Sequence, residues 1–73
     1  MLNNNNTLYW YGKIISSEKM LKDLTDNIKI VYIDKQNYKN CIDFLKNNSF
    51  TCVIEGYELT SNNDLYQYKF IRD

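Results

Sequence analysis

The chain has 73 residues, with nine basic and nine acidic side chains and no net charge. A chain of this size holds one modest core and buries roughly 60% of its unfolded surface; with 44% hydrophobic and 15% aromatic residues it folds rather than staying disordered. The balanced charge argues against binding driven by phosphate neutralisation and against attraction to a membrane surface, and no apolar run approaches the ~20 residues of a membrane span.

Two cysteines, Cys41 and Cys52, make no secreted disulfide framework, and "MLNNNNT" lacks the basic start and apolar stretch of a signal peptide. The expectation is a cytoplasmic protein with two reduced, buried thiols. Ala, Pro and His are absent and Arg occurs once, against eight Lys, eleven Asn, eight Ile and seven Tyr. That usage follows AT-rich codons and suits a low-GC bacterium, or a phage or other mobile element living on one.

Residues 1–6 read as a flexible polar leader and 7–73 as a single domain. A first strand is predicted over 7–15, with Leu8, Trp10 and Ile14 on one side and Tyr9, Tyr11, Lys13 and Ile15 on the other. Gly12 in its middle marks a bulge or a close backbone approach. "SSEKMLKDLTDN" carries helix punctuation: Ser16 or Ser17 caps, Glu18 lies in the first turn and Asn27 closes the end. Ser17, Met20, Leu21 and Leu24 form its stripe. "IKIVYID" follows as a strand with Ile28, Ile30 and Tyr32 opposite Val31 and Ile33, the two-sided apolarity of a central strand.

A second helix is predicted over 36–48, with Tyr38, Cys41, Ile42 and Leu45 as its stripe, widened by Phe44. "FTCVIEGYEL" reads as a strand, with Phe50, Cys52 and Ile54 opposite Val53, Tyr57 and Leu59. "TSNND" is a turn. "LYQYKFIR" closes the chain, with Tyr66, Tyr68 and Phe70 alternating against Leu65, Gln67, Lys69 and Ile71. The order β-α-β-α-β-β predicts an α+β fold: one two-layer domain with a mixed four-stranded sheet and two helices. Trp10, Leu21, Leu24, Ile30, Ile42, Leu45 and Ile54 are its expected core. If the strands advance in one direction across the sheet, both helices cover one face; if the chain reverses direction, one helix covers each face, and the sequence leaves both arrangements open.

The chemistry is read by elimination. Without histidine there is no His relay, Cys-His pair or His-based metal site, and two cysteines alone do not complete a zinc site. Gly12 and Gly56 stand alone, so no glycine-rich phosphate loop exists. Glu55 and Glu58 point to opposite faces of a regular strand, Asp23 and Asp26 end a helix, and Cys41 lies on an apolar stripe with no base to activate it. The expectation is a chain that is not an enzyme, with no catalytic residues, no cofactor and no metal.

What remains is an excess of sheet-borne tyrosine, a residue that supplies large area and a polar tip at protein interfaces. Trp10 is expected in the core, with Tyr9 and Tyr11 on the opposite face. Tyr57, Tyr66 and Tyr68 join them as partner-binding candidates. The leading reading is a small domain that occupies the surface of a partner protein, or of a second copy, without a membrane. It extends to an inhibitor or modulator of a host protein, such as an anti-defence factor. The alternative is a single-stranded nucleic-acid or nucleotide binder that stacks bases on the same tyrosines.

Overall fold

The computed structural model describes residues 6–58 and 66–73, with the backbone alone at 54–58 and 66. In chain order the elements are β1 (Thr7–Trp10), α1 (Ser17–Asp23), β2 (Ile30–Asp34), α2 (Lys35–Asn47), β3 (Thr51–Glu58) and β4 (Tyr66–Ile71). The four strands form one mixed sheet in the order β1-β2-β4-β3. β1 and β2 run parallel, and β4 lies antiparallel to both of its neighbours. β1, β2 and β3 therefore advance in one direction, with β4 inserted between the last two. The α+β class and the order β-α-β-α-β-β are those the sequence pattern predicts.

Register turns alternation into faces. Leu8 pairs with Val31 and Val31 with Phe70, while Trp10 pairs with Ile33 and Ile33 with Tyr68. These two rows point at the helices. Met20 from α1 and Cys41 and Leu45 from α2 are buried in one cluster with Trp10, Val31, Ile33 and Phe70. Both helices therefore cover the same face.

Several expectations are corrected. β1 stops at Trp10 instead of running to residue 15, because Gly12 takes φ +91°, a left-handed conformation that breaks the extended chain. Beyond the break strand alternation no longer applies, so Ile15 turns into the core and Ile14 faces solvent. α1 is shorter than predicted. Ser16 is its N-cap, its hydroxyl accepting from the Lys19 N–H at 3.2 Å, and the chain leaves the helix at Leu24. Two turns bury only a narrow strip, Met20 with Leu24 partly covered, and Leu21 stays 69% exposed rather than entering the core.

β2 starts at Ile30, leaving Ile28 buried in the preceding loop. Ile30 is half-buried on the face away from the helices, and Ile42 only partly covered. The predicted burial of Ile54 lies outside the described side chains. α2 ends at Asn47, and Ser49 at φ +72° turns the chain so that the Phe50 N–H reaches the Leu45 carbonyl at 2.9 Å.

The single arginine fastens two loops to the C-terminal end of β4. Arg72 donates to the carbonyls of Ile28, Asn48 and Thr25 at 2.8, 3.0 and 2.9 Å, and its guanidinium lies 4.5 Å from the Phe50 ring centroid. No helix among the described residues is long and apolar enough to cross a membrane.

Candidate functional site

The face away from the helices carries the alternate residues of the same strands. One row across it is Thr7, Ile30, Ile71 and Thr51, and the next is Tyr9, Tyr32 and Lys69. At the far end of this face Gln67 pairs with Asp34, the last residue of β2. Tyr9 is 57% exposed and Ile71 37%, with Ile30, Tyr32 and Lys69 half-buried by one another.

The tyrosine row has a definite geometry. Tyr9 and Tyr32 have ring centroids 5.1 Å apart and planes 7° from parallel. That separation is close to the ~4.8 Å spacing of neighbouring strands, so the two rings lie side by side across the β1–β2 pair with nearly parallel planes. Lys69, on the opposite side of Tyr32 from Tyr9, places its Nζ 5.6 Å from the Tyr32 centroid. Tyr32 is thereby flanked by an aromatic ring on one side and a cation on the other. Stacked pairs of this kind are worth about 0.5–1.5 kcal/mol beyond their buried area.

Tyr11 extends the row past the end of β1, its ring meeting Tyr9 edge-on at 5.9 Å. Its hydroxyl accepts from the Gln67 amide at 2.6 Å, and Gln67 is itself buried. Burial raises the Tyr11 pKa above its ordinary value, outweighing the Gln67 hydrogen bond that lowers it, so the phenol stays protonated.

Beneath Tyr11, a polar cluster fixes the 11–16 loop to the start of α2. The Asp34 carboxylate accepts from the Gly12 N–H at 2.8 Å and from the Asn37 amide at 2.9 Å. Asn37, fully buried, accepts from the Ile15 N–H at 2.9 Å and donates to the carbonyls of Trp10 and Lys13 at 3.3 and 3.0 Å. Gln36 bonds the Gly12 carbonyl, and Asn40 the Ile15 carbonyl at 2.7 Å. This cluster holds Tyr11 in place; every bond in it is internal to the fold.

Of the candidate residues, Tyr9 and Tyr11 are brought together on the open face and opposite to Trp10, which is 2% exposed. Tyr68 is not with them. It shares the helix-facing side of β4 with Phe70 and stacks on Tyr38 of α2 at 4.1 Å. The reason is register: β4 has apolar or aromatic residues on both sides, and pairing Val31 with Phe70 turns Tyr68 inward. The Tyr57 and Tyr66 side chains lie outside the described residues. Tyr32, Lys69 and Gln67 belong to the site although the sequence reading did not select them; Tyr32 was legible as the neighbour of Tyr9 once β1 and β2 are set parallel.

A shallow cleft of about 570 Å³ opens beside α2, walled by Tyr38, Tyr68, Lys35 and Lys39. Among the described residues no group of three His, Cys, Asp or Glu side chains is placed to hold a metal ion. Neither cysteine is in a disulfide; Cys41 is fully buried as expected, whereas Cys52 is only half-buried. Burial pushes the Cys41 thiol up to about 11, which leaves it protonated and a poor nucleophile. Comparison with protein-family models, curated proteins and solved structures finds no match to this chain.

Proposed function

We propose that this chain is a non-enzymatic protein-binding domain that acts by occupying a partner protein's surface with the open face of its sheet. The observation that carries this reading is the uncovered row of Tyr9, Tyr32 and Lys69 on a sheet whose two helices both lie on the other side. An aromatic face left in water by a small domain marks an interaction site. Clustered tyrosines offer hydroxyls and ring surface together, which suit the mixed polar and apolar surface of a protein. A base needs an open ring face, and Tyr32 is flanked on both sides; Lys69 is the one cation among the described residues of these rows. The geometry therefore favours a protein over single-stranded nucleic acid. An occupant of this kind acts as an inhibitor or modulator of the protein it covers, and the AT-rich usage suits a mobile element working in a host cytoplasm.

The test uses the full chain as bait in lysate of the cells that encode it, beside the variant Tyr9→Thr/Tyr32→Thr. Threonine keeps the strand preference while removing both rings. The wild type is expected to retain a protein that the folded variant retains roughly tenfold less or worse, the loss typical of truncated tyrosine anchors. Equal retention by the variant overturns the reading. So does capture of oligonucleotides that weakens steeply with salt.

A further inference from the structure

The two edges of the sheet are not equivalent. Along β3 the register with β4 shifts between Cys52 and Ile54 and again between Ile54 and Tyr57. Such bulges interrupt the outward row of hydrogen-bonding groups and guard an edge against pairing. β1 pairs with β2 without a break from Thr7 to Trp10, and among the described residues no strand lies on its other side. Its four residues include no charge, proline or bulge, the other devices that blunt an edge.

The hydrogen-bonding groups at this edge can be assigned. The Ile30 N–H donates to the Asn6 carbonyl at 3.0 Å. In a parallel ladder every second residue turns to the same neighbour, so Leu8 and Trp10 bond to β2. Thr7 and Tyr9 direct their N–H and C=O groups at the free edge. Tyr9 carries its exposed ring on the open face there, and Leu8 is half-buried on the helix side.

We propose that β1 pairs antiparallel with β1 of a second copy about a two-fold axis at Leu8, joining two sheets into one of eight strands. This goes beyond the partner-binding reading and does not depend on it. With Leu8 on the axis, Thr7 of each copy stands opposite Tyr9 of the other. All four outward N–H groups then meet all four outward carbonyls, and no other centre on β1 uses them all. The two Leu8 side chains meet on the helix side, and the seam places each Tyr9 beside Thr7 of the other copy on the open face. The contact is isologous and closes at two copies, whereas pairing β1 to the bulged β3 would propagate. Zero net charge leaves no repulsion between copies. A seam of two strands this short gives a weak, reversible dimer whose open face carries the tyrosine row twice.

Sedimentation of the full chain over a concentration series tests this, together with amide exchange and the variant Thr7→Pro. Proline at residue 7 removes an N–H that β2 does not use and keeps both tyrosines. The sedimenting mass is expected to rise from one chain to two with concentration, and Thr7→Pro to remain at one. In the wild type the Thr7 and Tyr9 amides should exchange several-fold more slowly in concentrated than in dilute solution, a measurement that holds even if the variant fails to fold. One chain's mass at every concentration, with exchange at Thr7 and Tyr9 unchanged, overturns the proposal and leaves partner binding by the face intact. A dimer that survives Thr7→Pro but is lost in Tyr9→Thr/Tyr32→Thr overturns it differently: the copies then meet face to face, which also counts against the partner-binding reading.

Discussion

On the helix side of the sheet Trp10 and Ile33 are buried with Tyr68 partly covered beside them; one residue along the same strands, Tyr9 is exposed with Tyr32 and Lys69 half-buried beside it. The two rows are nearly alike in composition, each with two aromatics. What separates them is the connections. Because β1, β2 and β3 advance in one direction, both helices arrive on one side, and among the described residues the other side has only its own side chains for cover. Tyr68 stacks on Tyr38 of a helix and Tyr32 on a strand neighbour, and both stay partly exposed, so the contrast is carried by the adjacent aromatics Trp10, 2% exposed, and Tyr9, 57% exposed. Aromatic character does not decide burial; the side on which the chain crosses over does.

The sharpest way to break this comparison is to truncate one residue on each side. Leu45, fully buried under the sheet, is expected to cost about 2–5 kcal/mol as Leu45→Ala. In a domain of this size each kilocalorie lowers the melting midpoint by roughly 4–8 °C. Tyr9→Thr/Tyr32→Thr on the open side should stay within about 1–2 kcal/mol of wild type, the value of one stacked pair and little burial. Thermal melts of both variants check this. Equal losses would mean that the open face is a second core.

A smaller effect is expected where the loop between the faces is tied down. Asn37→Ala leaves the Ile15 N–H, the Lys13 and Trp10 carbonyls and one Asp34 oxygen short of a partner inside the fold. Unpaired buried groups cost about 1–3 kcal/mol each, with water admitted to the gap recovering part of the sum. The expected loss is therefore near 2 kcal/mol. Tyr11 is positioned by this loop, so its ring resonances should shift in the same variant while those of Tyr68 stay in place. A Tyr11 signal that does not move would separate the polar cluster from the open face.

The sequence exposes the architecture because alternation, turn residues and caps all agree along most of it; Trp10 against Tyr9 and Tyr11 needs only period two. Three kinds of residue were not legible, each for a physical reason. Leu21 fits the helical stripe, but α1 has only seven residues and reaches the core through Met20. Ile30 and Tyr68 lie on strands apolar on both sides, where the face is set by pairing with a distant strand rather than by local pattern. Asn37 lies on the buried stripe of α2, four residues before Cys41 and eight before Leu45, but a polar side chain does not register in an apolar stripe. Its position was the signal. The partners that make its burial tolerable come from a loop more than twenty residues earlier.

The smallest effect is set by pH and belongs to the helix side. The Trp10 indole N–H donates to the Asp23 carboxylate at 3.1 Å, and Lys19 lies 3.1 Å from the same oxygen. Partial burial alone would raise the Asp23 pKa, but the bonds from Trp10 and Lys19 outweigh it and hold the group below its ordinary value. A carboxyl lowered in the folded state stabilises the fold above its unfolded pKa, and that contribution is lost as pH falls through the folded pKa. The loss therefore belongs below about pH 4, where an unfolded aspartate begins to protonate. Lys19 is more than half exposed, so water screens the pair and the whole contribution is worth about 1 kcal/mol or less. Asp23→Asn keeps an oxygen for the indole and removes the charge. Its melting midpoint is expected slightly below wild type at neutral pH, with the gap closing in acid. A gap that stays constant from neutral to acid would show that Asp23 holds Trp10 by shape alone.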